Sequence, residues 1–512
     1  MQYIKTCISY QVLGSNSPVY IEFNKQYQDE YIAIELLHSN HTTKLKIETA
    51  SPVELLLLAH HYQYEFENSD QIMCNGFQSW TETRLFHIDE KIKTFNPLLA
   101  RFSKPFGDSY YYNYPENKGY LHAWSYAYIN RKNKATSLMA SLTDVDAFTL
   151  FEFQVPLNKI IISKDIKGCI IEKNAVLFQL YMEEGEEKSL FENYFVCCGF
   201  IYKHRKMNGW TSWYHYYTKI NEQNIQSNIH NYTQSTDYPI DIFQIDDGWQ
   251  KDIGSWMECN AKFPEGLKKY VTQLHAKNIL AGLWLAPFIC EKKSFIYKQH
   301  PEWILCDKSG NMVLAGYNPM WSGSFYVLDF YNDECRTYLK KVFQTILQEW
   351  KFDMLKLDFL YAVCLQARPG KTRGTIMYEA MQWIREVCGE KLILACGVPL
   401  MPCAGKVDFC RVGPDISLGW NDFFADLFGW REGISTRKSI QNTIARKHLD
   451  GYWFANDPDV FMLREEQQKM TWEQRKTLFE TNKTYGSLLF TSDNIDSYDE
   501  EKLKLYRSLF RK

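Results

Sequence analysis

Lys356 and Asp358 stand two residues apart in the run Phe352-Asp-Met-Leu-Lys-Leu-Asp-Phe-Leu-Tyr361, which follows a long amphipathic stretch. The run has the apolar character and length of a strand, so both side chains leave the same face. In a barrel of parallel strands such a pair lies at the C-terminal strand ends, where catalytic groups collect. There Lys356 is expected to hold Asp358 ionised, which readies a carboxylate as a nucleophile. The same two residues would serve equally well as a buried ion pair that only closes the barrel.

The elements that would position this pair begin at about residue 206, where strand-like and helix-like runs start to alternate. Eight candidate strands end near Trp213, Asp246, Ala286, Asp358, Cys396, Arg411, Phe454 and Phe490. Helical patterns are expected over 222–234, 267–277, 334–350, 376–388, 434–448, 465–482 and 500–511. Eight such units in about 300 residues predict a (β/α)8 TIM barrel. Residues 1–190 instead alternate with period two, as in Thr149-Leu-Phe-Glu-Phe-Gln-Val155, with further strands expected over 32–37 and 175–182. This predicts an antiparallel sandwich ahead of the barrel, joined by a linker over 191–205, with a helical pattern around 184–199. The fold class is therefore α/β, with a barrel domain over 206–512.

The strand ends would gather an unusual set of groups at one mouth: Trp213, Asp246 and Asp247, Trp284, Lys356 and Asp358, Cys396, Arg411 and Asp415, and Asn456-Asp-Pro-Asp459. Paired carboxylates, two cations and several indoles suit a polyhydroxylated ring. Two carboxylates on different strands, one ionised and one protonated, are what retaining glycoside hydrolysis requires, at a spacing of about 5 to 5.5 Å. Asp358 fits the first. Asp415, beside Ile416, Leu418 and Trp420, fits the second, with Arg411 expected to point to the sugar. Asp415 also follows a proline, as an ordinary turn aspartate does. Cys74-Asn-Gly-Phe-Gln-Ser-Trp80 and Gly119-Tyr-Leu-His-Ala-Trp-Ser-Tyr126 read either as binding loops or as sandwich-core aromatics.

Nine motifs, from Asn208-Gly-Trp-Thr-Ser-Trp213 and Asp246-Asp-Gly-Trp249 through Lys356-Leu-Asp-Phe-Leu-Tyr361 to Cys396-Gly-Val-Pro-Leu400, Arg411-Val-Gly-Pro-Asp415 and Asn456-Asp-Pro-Asp459, resemble in order and spacing glycoside hydrolase family 36, the melibiase-type α-galactosidases of clan D. Asn75–Trp80 and Leu121–Trp124 resemble that family's β-supersandwich domain. The resemblance implies exo-hydrolysis of terminal α-linked galactose by double displacement, without cofactor or metal. It implies Asp358 as nucleophile and Asp415 as acid/base. Asp246 and Asp247 would hold hydroxyls 4 and 6, Lys356 and Arg411 those near 2 and 3, and Trp213 and Trp284 would shape the pocket. Cys396 would line the site, and Trp80 would reach over the mouth. The family's C-terminal antiparallel sheet has no counterpart before Lys512.

A net charge of −3 and the lack of a long basic run exclude a nucleic-acid or anionic-membrane surface. With no uncharged span and no leader pattern, a cytoplasmic protein acting on a small molecule or oligosaccharide is expected; self-association into a homo-oligomer stays open. Fourteen cysteines without a CxxC pair read as reduced thiols and not as a zinc site. Alternatives that keep the mechanism are an α-N-acetylgalactosaminidase, with room for an acetamido group near Cys396–Pro402 and Arg411, and a raffinose-synthase-like galactosyltransferase. A non-catalytic carbohydrate-binding protein on the same fold is the alternative of another class.

Overall fold

The computed structural model describes residues 1–95, 107–132, 134–200, 206–234, 238–421 and 423–510. Its second half is a (β/α)8 barrel. We number the barrel strands β1 (Met207–Thr211), β2 (Ile242–Ile245), β3 (Leu280–Leu285), β4 (Met354–Leu357), β5 (Leu392–Ala395), β6 (Phe409–Arg411), β7 (Ala455–Asp457) and β8 (Leu488–Thr491). The six neighbouring pairs from β1 to β7 are parallel, as is the pairing of β8 with β1. The ring closes between β7 and β8, where Ser487 N–H donates to the Asn456 carbonyl (2.9 Å) and Phe461 N–H to that of Phe490 (3.0 Å). The inward run Met354-Leu-Lys-Leu357 is buried throughout, as a strand covered on both faces must be.

Seven expected strand ends fall on or within two residues of an observed one. The exception is β7. The apolar pair Trp453-Phe454 looked like its end, yet the strand is Ala455-Asn-Asp457. A polar strand is tolerated there because Asn456 Nδ2 donates to the Arg446 carbonyl (3.1 Å) and Asp457 accepts from Arg411 Nε (3.0 Å), although Asn456 Oδ1 has no partner among the described residues. The seven expected barrel helices are also present, 222–234 with the expected ends and the other six with shifted ones. That predicted over 465–482, for example, begins at Trp472, where Thr471 and Gln474 form a reciprocal N-terminal cap.

The first half forms two antiparallel sheets, of seven and eight strands, packed as a sandwich. Alternation sets which face is buried: in Thr42–Thr49, Thr43, Leu45 and Ile47 point inward between exposed or half-buried neighbours. The linker helix expected around 184–199 is present as Glu187–Cys198, whose Leu190, Phe191, Tyr194 and Phe195 are buried. The last residues of the linker, 201–205, lie outside the described residues. The sandwich has a core of its own around Ile8, Leu45, Ile72, Phe151 and Ile162. Met73, Phe77, Trp124 and Tyr126 instead join the barrel's core.

The two sequence stretches left ambiguous in the sandwich form this junction. Tyr120–Trp124 is a strand and not a loop, and Asn75 and Trp124 exchange hydrogen bonds at 2.8 Å. Arg446, fully buried on the barrel side, donates to Asn75 Oδ1 (2.9 Å) and to the carbonyls of Gln78 (3.1 Å), Ser79 (2.6 Å) and Val412 (2.9 Å). With neutral acceptors alone, burial pushes its guanidinium down to about 10. Each acceptor stranded by its loss would cost about 1–3 kcal/mol, so Arg446 is a clamp that fixes the backbone just before Trp80.

Candidate active site

A cavity of about 640 Å³ opens at the C-terminal ends of the barrel strands. Asp246, Asp247, Trp284, Lys356, Asp358 and Asp415 line it, with Trp213 and Trp80. The sequence expectation therefore comes together for eight of its ten residues. Cys396 and Arg411 are the two that do not line it.

Asp358 ends β4 with both carboxylate oxygens oriented. Trp284 Nε1–H donates to Oδ2 (3.0 Å) and Phe359 N–H to Oδ1 (2.9 Å), leaving lone pairs on each oxygen. Burial raises its pKa above the usual carboxylate range; the nearby Lys356 charge and the two donors pull the other way, while Asp415 pushes it further up. Lys356 is not its ion-pair partner. The ammonium bonds Asp246 Oδ2 at 2.8 Å, and against the cost of burial that carboxylate keeps Lys356 protonated well above its ordinary range. The expected direct Lys356–Asp358 pair is thus corrected: the lysine acts on Asp358 only through space.

Asp246 also accepts from Gln244 Nε2 (2.7 Å) and from Asp247 N–H (2.9 Å). Asp247 accepts from Gln250 Nε2 (2.6 Å) and from Trp321 Nε1 (2.8 Å). Burial pushes Asp247 up to about 6, with Asp246 and Asp358 adding like charge. Trp321 was missed from the sequence. It arrives on a small three-stranded sheet, Ile289–Glu291, Gly323–Val327 and Leu314–Asn318, inserted after β3.

Arg411, expected at the sugar, is turned to the protein. Its guanidinium meets Asp457 (3.0 Å), Asp459 (3.0 Å) and Asp415 (2.8 Å). One positive charge shared by three carboxylates cannot keep them all ionised. Burial and the Asp459 carboxylate accordingly raise Asp415 despite Arg411, and about a third (33%) of the Asp415 side chain remains exposed. Asp459 in turn accepts from the Tyr214 hydroxyl and from Ile416 N–H (2.9 Å). The ladder that pairs Arg411 with Asp457 across β6 and β7 explains the turn away from the cavity.

Cys396, after β5, accepts the Trp80 indole N–H at 3.3 Å on sulfur. Next to it, Gly397 has φ +58°, and a Cβ there would lie 2.8 Å from the Trp80 ring and 3.2 Å from Phe359 N. Only glycine admits the indole at this place. Trp80 thus enters the barrel mouth from the sandwich, edge-on to Phe359 with ring centres 5.2 Å apart. Among the described residues no group of three or more His, Cys, Asp or Glu is disposed to hold a metal ion, and no helix is long and apolar enough to cross a membrane.

Comparison with known proteins agrees with this fold. The family profile for Melibiase matches residues 189–384. α-Galactosidase 1 of Pediococcus pentosaceus is 27% identical over 169 residues, 30% of this chain and 22% of that protein. α-Galactosidase Mel36A of Lactobacillus acidophilus is 29% identical over 126 residues, 23% and 16% respectively. The aligned stretch thus spans less than a quarter of either relative. Among solved structures, the Thermus thermophilus α-galactosidase in complex with p-nitrophenyl α-D-galactopyranoside superposes with a TM-score of 0.78 at 23% identity, over 96% of this chain and 95% of that one. The family 36 enzyme AgaA of Geobacillus stearothermophilus gives 0.61 at 12% identity, over 93% and 66%. The shared fold, the Melibiase match over 189–384 and the ordered strand-end motifs make the chain similar to the melibiase-type glycoside hydrolases of family 36.

Proposed function

We propose that the chain is a retaining exo-α-galactosidase, releasing terminal α-linked galactose from oligosaccharides or glycoconjugates by double displacement. The observation that carries this reading is the cavity itself, where Asp358 and Asp415 face one space floored by Asp246, Asp247 and Lys356. Asp358 attacks the anomeric carbon while Asp415 gives its proton to the glycosidic oxygen. Asp415 then takes a proton from the water that releases galactose. Asp246, Asp247 and Lys356 bind ring hydroxyls, and Trp284, besides walling the cavity, holds the nucleophile's orientation. Trp213 and Trp80 offer aromatic faces to the sugar. In this reading Arg411 is a positioning residue that divides its charge among Asp415, Asp457 and Asp459, leaving Asp415 free to carry a proton.

The space that an acetamido group would need, near Cys396 and Arg411, is taken by the Trp80 indole and by the carboxylates around Arg411. This favours galactose over its N-acetylated relative. All fourteen cysteines are unpaired, which suits a reducing compartment such as the cytoplasm. Residues 1–190 and 206–512 are read as two domains whose junction completes the pocket through Trp80.

The test is initial-rate hydrolysis of p-nitrophenyl α-galactoside, α-N-acetylgalactosaminide, α-glucoside and β-galactoside. We expect kcat/KM for the α-galactoside to exceed each of the others at least about a hundredfold, since misplaced ring hydroxyls leave buried polar groups unpaired. A folded protein that binds galactose but turns over none of them would be a carbohydrate-binding protein instead.

A further inference from the structure

One buried carboxyl group in the cavity has no part in the chemistry above. Glu432 lies on the crossover that follows Asp415, lines the cavity and is only 7% exposed. Its Oε1 accepts the Asp108 N–H at 3.0 Å. The fold holds this short segment from both sides. Ser435 N–H donates to the Asp415 carbonyl (2.9 Å), which sets the segment against the acid/base candidate. On the other flank Arg431 pairs with Asp108 and donates to the Glu82 carbonyl (2.9 Å). Asp108 is itself fixed by His122 Nε2 (2.6 Å) and Trp124 Nε1 (2.8 Å). The Leu121–Trp124 motif therefore serves the cavity indirectly, by anchoring the backbone that carries Glu432.

Position in the cavity distinguishes Glu432 from the other acids. Asp246, Asp247 and Lys356 come from β2 and β4 and serve the galactose ring. The acid/base must stand beside the glycosidic oxygen, so the wall that continues from Asp415 through Ile416, Leu418, Trp430 and Ile434 belongs to the leaving group. That wall is apolar or aromatic except at Ser417 and Glu432. Within the protein the Glu432 carboxyl group already meets the Asp108 N–H, the Thr81 hydroxyl and the Arg431 charge, which fix it in place as the polar group of an otherwise apolar wall.

We propose that Glu432 is a specificity-determining residue that hydrogen-bonds a hydroxyl of the sugar in the leaving-group position, selecting galactosyl saccharides over galactosides with an apolar leaving group. The proposal rests on the α-galactosidase reading. Burial pushes Glu432 up to about 7, so near neutral pH it can donate to a sugar hydroxyl as well as accept from one.

The experiment measures kcat/KM for an α-1,6-galactosyl-glucose disaccharide and for p-nitrophenyl α-galactoside, in wild type, Glu432→Gln and Glu432→Leu. The amide of Glu432→Gln still accepts the Asp108 N–H, so this variant keeps the fold if Glu432→Leu does not. Expected is a disaccharide-to-aryl ratio of kcat/KM that falls at least about tenfold in Glu432→Leu and by less in Glu432→Gln, because the amide still offers a hydrogen-bonding partner. An equal fall on both substrates, or an unchanged ratio in both variants, would make Glu432 purely structural and overturn the proposal. Wild type inactive on both substrates would instead overturn the α-galactosidase reading beneath it.

Discussion

Asp358→Ala is expected to lower kcat/KM for p-nitrophenyl α-galactoside at least about a thousandfold, with thermal unfolding close to that of wild type. No other carboxylate shares its position. Asp246 is committed to Lys356 and Gln244, and Asp247 to Gln250 and Trp321. Asp358 keeps lone pairs on both oxygens beyond its two donors; Asp247 has the same number of donors, and what sets Asp358 apart from it is its place just past β4, within reach of the Asp415 charge. Because the glycosyl-enzyme bond forms on this carboxylate, even a good leaving group cannot compensate for its loss. The defect should therefore be similar for the aryl galactoside and for a disaccharide. A variant that keeps more than a tenth of wild-type turnover would remove Asp358 from the nucleophile's place.

Asp415→Ala should behave differently. An acid contributes most when the leaving group is a poor one, about 10²–10⁴-fold. The variant should lose at least about a hundredfold on a galactosyl disaccharide and clearly less on p-nitrophenyl α-galactoside, whose leaving group needs little protonation. The pH profile supplies a second check. Asp358 must be ionised, and its pKa is raised, so activity falls as pH drops through that value. Asp415 must be protonated, and its pKa is raised by burial and Asp459, so activity falls as pH rises through it. In Asp415→Ala the alkaline limb should vanish from the aryl-galactoside profile while the acid limb stays. Initial rates across pH for both proteins test this; a retained alkaline limb would assign the proton to another group.

Most of the barrel can be read along the chain because each inward strand is a short apolar run ended by a polar group, as in Met354–Asp358. Asp246 and Asp358, each the first residue past its strand, follow from that rule, with Asp247 beside the former; Trp284 lies inside β3 and Asp415 well past the end of β6, so their places come from the motifs. The misses come from pairings between strands. Arg411 appears free to reach a ligand until β7 is registered against β6, which sets Asp457 directly beside it; the two are 46 residues apart. Misplacing β7 at Phe454 hid that neighbour. Lys356 was assigned to Asp358, two residues away, although Asp246 is its partner across the sheet. Trp321 and Glu432 belong to excursions after β3 and β6 with no strand periodicity to place them. Trp80 carried a signal in its motif, but the geometry that admits it, Gly397 with positive φ beside Cys396, belongs to the other half of the chain.

The most direct test of retaining α-galactoside hydrolysis is proton NMR of the galactose anomer first released from p-nitrophenyl α-galactoside, recorded before mutarotation. Attack by Asp358 followed by water predicts α-galactose at the earliest times, with the β-anomer appearing only as the sugar equilibrates. β-Galactose as the first product would mean a single displacement by water and would contradict the assignment of Asp358 as nucleophile.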